Sequence, residues 1–346
     1  MKILLIGGNG FIGRHVVEQL AHSGHELTLL HRGTKRFELA RFGREIVGDA
    51  NRLSDFHGPL SAVAPDVVID FILSDGAQAE ALMNALRGIA GRIVALSSMD
   101  VYRACGILHR TETGDLQPLP LTEDSELRTK PAYSPEQMEA GKKIFSWMTN
   151  AYDKIPVERI VLSDSELPGT VLRLPMVYGP GDPLRRFLPI IKRIADGRKR
   201  IPLERESAQF RAPKGYVENV AQAIALAATS TKASGRIYNV AEETALTELS
   251  WAELVARTMR WNGEFVLLAK ERMPADAFSD GRWEQHWVAS SVRIREELGY
   301  REHISREDGL ERTIAWELAN FPHEVPAAMF DYAAEDAALA YDSVSS

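Results

Sequence analysis

The chain has 346 residues, 41 Lys and Arg against 48 Asp and Glu, and a net charge of −7 with neutral histidines. That balance argues against a general nucleic-acid or anionic-membrane surface, which needs a clustered basic excess. One cysteine, Cys105, leaves no intramolecular disulfide framework and no cysteine-based zinc site, and no apolar run reaches membrane-spanning length, so a reducing cytoplasm is the expected home.

In chain order, short apolar runs bounded by turn residues alternate with amphipathic stretches, the pattern of a parallel sheet covered by helices. Residues 2–6, 26–30, 45–47, 67–71, 92–97 and 170–174 read as strands. Residues 12–23, a turn near 53–61, and residues 77–89 read as helices between them. Strands such as Val67-Val68-Ile69 run apolar without alternation, as expected where both faces are buried. The last third carries helical stretches at 216–229, 250–261 and 305–321, with strand-like pieces at 236–240 and 264–268. It is expected to form a smaller lobe, reached near residues 175–182, and residues 331–346 are expected to be a loosely held tail.

The first strand runs into Gly7-Gly8-Asn9-Gly10-Phe11-Ile12-Gly13, and a helical period follows. Gly7 suits a tight turn, Gly10 lets backbone approach a pyrophosphate, and Gly13 lets the helix lie close to the strand, with the helix N-terminus facing phosphate. A Rossmann-type doubly wound α/β fold follows, with a dinucleotide-binding domain over residues 1–175 and a mainly substrate-binding α/β lobe over 176–330, some of whose segments return to the first domain. At the end of the second strand the chain reads His31-Arg32-Gly33, with Lys35 and Arg36 close behind and no acid in place. A ribose 2′-hydroxyl calls for an acid there and a 2′-phosphate for arginine, so NADP is favoured over NAD.

Further segments make the chain resemble the extended short-chain dehydrogenase/reductase family, in its NAD(P)-dependent epimerase/dehydratase branch. They are Gly48-Asp49, residues 66–71, Ser97-Ser98-Met99-Asp100-Val101-Tyr102, residues 173–182, residues 215–221 and residues 235–240. The resemblance covers about residues 1–320 and implies the following assignments. Asp49 and Ala50 meet the adenine side of the cofactor. Phe71, Ser97, Lys154 and Pro175 join Gly7, Gly10, Phe11, Ile12, Gly13, His31 and Arg32 in binding it. Ser98 holds the substrate oxygen. Tyr102, Met176, Tyr178, Arg211 and Lys214 face the substrate. A homodimer is implied as well.

In that family a tyrosine transfers the proton, and a lysine four residues later lowers its pKa and holds the nicotinamide ribose. Four residues place both side chains on one helix face, and an ammonium nearby favours phenolate. Here Tyr133 is followed four residues later by Gln137, and Ser134-Pro135-Glu136-Gln137 reads as a capping box. An inserted helix is therefore expected within about 134–151, over residues 139–149. Beyond it Lys154 precedes Glu158 by four, as in the family, with Asp153 as a helix cap, Pro156 in the first turn and Tyr152 just outside. The proton donor is Tyr133, Tyr152 or neither.

The resemblance implies an NAD(P)-dependent oxidoreductase, epimerase or dehydratase acting on a hydroxyl- or carbonyl-bearing small molecule, with a nucleotide sugar among the candidates. The interrupted tyrosine–lysine spacing also resembles the atypical members of the branch, among them the chloroplast stem-loop-binding proteins. The alternative is thus a catalytically impaired dinucleotide-binding regulator or RNA-associated protein. Nine histidines show no metal-ligand spacing, and no metal is expected.

Overall fold

Ile3 to Ile6 and Val67 to Ile69 are fully buried because helices cover both faces of the sheet they build. The computed structural model describes residues 1–33, 41–274, 281–325 and 327–340. Its strands are β1 (Lys2–Ile6), β2 (Glu26–His31), β3 (Gly43–Val47), β4 (Val67–Asp70), β5 (Ile93–Ser98), β6 (Gly169–Leu174), β7 (Met176–Tyr178), β8 (Arg200–Glu204), β9 (Lys214–Tyr216), β10 (Ile237–Asn239) and β11 (Glu264–Leu268). Seven of them form one sheet in the order β10-β6-β5-β4-β1-β2-β3. Every ladder in it is parallel. The expected Rossmann-type sheet is present, and its strand order reverses between β1 and β4, where open α/β sheets bind ligands beyond the carboxyl ends of the strands. Two small parallel pairs, β7 with β9 and β8 with β11, stand outside it.

The first helices are α1 (Gly13–His22), α2 (His57–Val63), α3 (Gly76–Leu86), α4 (Arg103–Leu108), α5 (Pro135–Ile144) and α6 (Lys154–Ser163). They are followed by α7 (Leu188–Ala195), α8 (Arg205–Gln209), α9 (Val217–Thr229), α10 (Glu248–Thr258), α11 (Val292–Leu298), α12 (Arg306–Ala319) and α13 (Tyr332–Ala340). Val16, Val17 and Leu20 of α1 and Val220 and Ile224 of α9 build the core on one face of the large sheet. Leu82 and Met83 of α3 and Val157 and Val161 of α6 build it on the other. Among the described residues no helix is long and apolar enough to cross a membrane.

Three segments beyond residue 175 take definite places. The piece expected at 236–240 is β10, which closes the edge of the large sheet beside β6. The helix expected at 216–229 is α9, which packs on α1. The segment expected as a loose tail contains α13, whose Glu335 is 2% exposed and accepts from the Arg193 guanidinium of α7 at 2.6 Å. An acidic, alanine-rich composition suggests a solvated tail only until a buried arginine elsewhere in the chain takes one of its carboxylates.

A buried ionic network ties α6 to the sheet. Arg173 on β6 donates to Glu158 on α6 at 2.7 Å, and the two side chains are 2% and 4% exposed. The Ser97 hydroxyl donates to the same carboxylate at 2.5 Å. Arg173 also reaches the Tyr102 hydroxyl at 3.0 Å and the Glu123 carbonyl at 2.9 Å, while Tyr102 donates to Asn239 of β10 at 2.6 Å. Truncating one member of such a pair leaves a charge buried without its partner, a loss of about 3–5 kcal/mol. Arg173→Met is expected to destabilise the fold by that amount in urea unfolding, and the double variant Arg173→Met with Glu158→Leu by clearly less.

Candidate active site

A cavity of about 720 Å³ opens at the carboxyl ends of β1, β4, β5 and β6. Its floor is the glycine turn. Gly7 has φ +80°, and a Cβ there would lie 2.5 Å from the Ile72 side chain. A Cβ on Gly13 would lie 2.6 Å from the Gly8 carbonyl oxygen, so only glycine lets α1 start this close to the strand. At Gly10 a built Cβ would meet the Gly7 carbonyl oxygen at 3.7 Å, an ordinary van der Waals contact. No described side chain caps the N-terminus of α1 at Ile12, and its first residues, Gly13 and Arg14, line the cavity. A backbone cradle with an uncapped helix start fits a dinucleotide pyrophosphate.

Of the residues expected to bind cofactor, Gly7, Gly10, Phe11, Ile12, Gly13, Phe71, Ser97, Lys154 and Pro175 line this cavity. His31 and Arg32 stand beside it at the end of β2, and Asp49 and Ala50 follow β3, the strand paired with β2. Asp49 caps the turn that follows, accepting from the Asn51 amide at 3.0 Å. Lys35 and Arg36 lie outside the described residues.

The reactive end is built by β5, the loop carrying Tyr133, and the start of α6. Asp153 caps α6 as expected, accepting from the Ile155 amide at 3.1 Å. The cap places Lys154 at the first helical position, 3% exposed, with its ammonium donating to the carbonyls of Leu73 and, at 3.1 Å, Leu96. Burial pulls that ammonium down to about 8, against the opposing pull of Asp100 and Asp70. Burial likewise raises the Asp70 carboxyl to about 6, although it accepts from the Ile72 and Leu73 amides.

Both candidate tyrosines line the cavity and meet on a carboxylate that the family pattern did not single out. Tyr152 donates to Asp100 Oδ2 at 2.8 Å and Tyr133 to the same oxygen at 3.3 Å, their ring centres 6.3 Å apart. Burial, then the Asp100 charge, push both phenols well above their ordinary value, and a hydrogen bond with Ser98 partly counteracts this at Tyr152. The Lys154 ammonium lies 5.7 Å from the centre of the Tyr152 ring. Asp100 was readable as an acid two residues past Ser98, but no spacing rule marks a lone acid at a strand end.

The insertion forms one wall of the cavity. Its capping box forms as expected, with Ser134 accepting from the Gln137 amide. The helix, however, is α5, ending at Ile144, and not the stretch expected over 139–149. The chain then turns so that the Trp147 ring covers the Lys154 ammonium at 4.9 Å and Ser146 accepts from Arg32 at 3.2 Å. It returns through Thr149, whose hydroxyl donates to Asp75 at 2.6 Å.

The expected substrate residues are corrected as a group, since none of the five lines the cavity. Tyr102 is fully buried between Asn239 and Arg173, and this burial pushes its phenol up to about 12. Tyr178 donates to Glu242 at 2.9 Å inside the core, and Lys214 is 4% exposed and paired with Glu248. Met176 packs against the buried cluster around Met99 and Tyr102. Arg211 is exposed, its backbone bridged to Thr247. Tyr102, Tyr178 and Lys214 have partners far away in sequence, so the local pattern does not reveal that their polar atoms are already engaged.

The model of the NAD dependent epimerase/dehydratase family matches residues 3–241. The chain is 26% identical over 333 residues to the chloroplast stem-loop binding protein of 41 kDa b of Arabidopsis thaliana, covering 89% of this chain and 77% of that protein. It is 27% identical over 267 residues to a 3-diazoavenalumate denitrifying reductase of a Streptomyces species, covering 75% and 82%. Among solved structures, dTDP-glucose 4,6-dehydratase of Bacillus anthracis in complex with NAD superposes with a TM-score of 0.66 at 17% identity, over 93% of this chain and 97% of that one. With the glycine cradle, the seven-stranded parallel sheet and a family match over more than two thirds of its length, the chain belongs to the NAD dependent epimerase/dehydratase family.

Proposed function

We propose that the protein is an NAD(P)-dependent oxidoreductase of this family, acting on a small molecule that carries a hydroxyl or carbonyl group. The observation that carries the reading is the convergence of Ser98, Tyr152 and Lys154 on the wall of the cavity whose floor is the glycine cradle. A bound nicotinamide supplies hydride exchange at its C4 carbon. Ser98 holds the substrate oxygen, and Tyr152 exchanges a proton with it. Lys154 presents a positive charge to the cofactor from beneath Trp147, and the inserted segment keeps water from the reacting atoms. The cations expected for a sugar diphosphate, Arg211 and Lys214, lie outside the cavity. The wall offered instead contains Tyr133, Met138, Phe145, Trp147 and Met148, which suits a substrate with an apolar or aromatic face.

Arg32 favours NADP. It stands exposed at the end of β2, where its fork can exchange Ser146 for a 2′-phosphate. A second reading, a dinucleotide-binding protein without turnover, is favoured by the tyrosine and lysine standing two residues apart instead of four and by the similarity to the Arabidopsis protein. Calorimetry with NADP and NAD, followed by a screen of carbonyl and alcohol probes, separates the two. Binding with turnover supports the enzyme, binding without turnover supports the second reading, and no binding of either dinucleotide overturns both.

Two further outcomes are expected. Arg32→Gln weakens NADP by about tenfold, the scale of a charge-assisted hydrogen bond, and leaves NAD nearly unchanged, as read by calorimetry. Lys154 is held below its unfolded value, so its ammonium is present below pH of about 8 and lost above it. Dinucleotide affinity should therefore fall as pH rises through that value, and Lys154→Met should flatten the dependence.

A further inference from the structure

The charge nearest the candidate proton-transfer oxygen is negative. In the pattern this chain departs from, a lysine ammonium stands beside the tyrosine hydroxyl. Here the Tyr152 hydroxyl hydrogen points at a carboxylate, and a second tyrosine points at the same oxygen. Asp100 is 1% exposed, and its other oxygen, Oδ1, has no hydrogen-bond partner among the described residues although it too is buried. The Arg128 guanidinium stands 4.0 Å from Oδ1, but its closer contact is Asp153 at 2.8 Å. The other titratable groups facing Asp100 are Cys105, His109 and Lys154, in addition to the two tyrosines. Asp100 is therefore a buried carboxyl with an unused acceptor oxygen, facing two phenol donors and one arginine.

A tyrosine that donates its own hydrogen to Asp100 turns its oxygen lone pairs toward the cavity. It is then an acceptor toward an incoming hydroxyl. Resting on the oxidoreductase reading above, we infer that Asp100 is the terminal proton acceptor of the site, working through Tyr152 in a two-bond relay that replaces the usual tyrosine–lysine arrangement. In the oxidation direction the substrate O–H bond breaks as its proton passes to Tyr152 Oη. The Tyr152 O–H bond breaks as that proton passes to Asp100 Oδ2. The substrate carbon gives a hydride to the oxidised nicotinamide, so the substrate is oxidised to a carbonyl, the dinucleotide is reduced, and one proton rests on Asp100. Reduction runs the same steps backwards and starts from protonated Asp100. Asp100 acts through Tyr152 and need not touch the substrate, and Tyr133, at the longer distance, holds the accepting oxygen in line.

The relay is tested first without cofactor or substrate, by alkaline titration of the tyrosinate ultraviolet band on the full chain. Removing the carboxylate charge while keeping an acceptor oxygen, as in Asp100→Asn, is expected to make one tyrosine at least about tenfold easier to ionise. That shift should be absent when Tyr152→Phe is combined with Asp100→Asn, and Asp100→Glu should titrate like the parent chain. If circular dichroism shows that Asp100→Asn does not fold, Asp100→Ser takes its place. An unchanged titration, or a shift that persists without Tyr152, overturns the proposal. The second measurement follows reduction of NADP by 1-phenylethanol as a probe alcohol, where Asp100→Asn should lower kcat by about a hundredfold with little change in KM. Parental turnover in that variant overturns the relay. Absence of turnover in the parent chain counts against the oxidoreductase reading, and the tyrosinate titration then decides the relay by itself.

Discussion

The contact between Arg173 and Glu158 is the fixed point of the molecule. Neither charge could be left alone at such depth, so β6 and α6 must meet in one register, and the hydroxyls of Ser97 and Tyr102 are drawn into the same network. Because Glu158 lies one helical turn after Lys154, fixing the carboxylate also fixes the ammonium. Lys154 thereby arrives under the cavity wall with its donors spent on two backbone carbonyls, a position no hydrophobic contact could specify so narrowly. The same network reaches Asn239 on β10, so a strand from late in the chain is tied to the chemistry of the early strands.

Around this anchor the site balances opposite charges at short range. Asp70, Asp100 and Lys154 are all nearly dry; burial raises the Asp70 carboxyl, where two backbone amides and Lys154 oppose it, and lowers the Lys154 ammonium, where Asp100 and Asp70 oppose it. The carboxylate at Asp100 takes hydrogen bonds from both tyrosines, while the lysine is turned toward the ends of β4 and β5. The ammonium and the carboxylate thus bond different partners, the one two backbone carbonyls and the other the two phenols.

Most of the fold was legible in the sequence. The glycine turn, the unbroken apolar strands and the caps at Asp153 and Ser134 depend on interactions within a few residues, and all of them form where the pattern places them. What depended on distant partners was not legible. Tyr102, Tyr178 and Lys214 looked like ligand contacts because each is a polar or aromatic residue near a family motif, yet Asn239, Glu242 and Glu248 claim them. The helix α13 was hidden because its anchors, among them the buried pair of Glu335 with Arg193 and the packing of Leu339 on β11, lie far away in sequence. The candidate site was half legible: Ser98 and Lys154 follow from motif and cap, whereas the meeting of Tyr133 and Tyr152 on Asp100 requires the insertion to leave and return, which no local period encodes.

That return has a consequence of its own. The two tyrosines bracket the inserted segment, and their hydroxyls end on a single oxygen, so the excursion between them begins and finishes at nearly the same place. For a loop whose ends lie close together the closure cost grows only slowly with its length. The segment bearing Met138, Phe145 and Trp147 can thus change length at little closure cost, while its contacts with Arg32, Lys154 and Asp75 tie its present path to the site. A change in its length or composition would reshape one wall of the cavity and leave the strands and the Arg173–Glu158 anchor where they are.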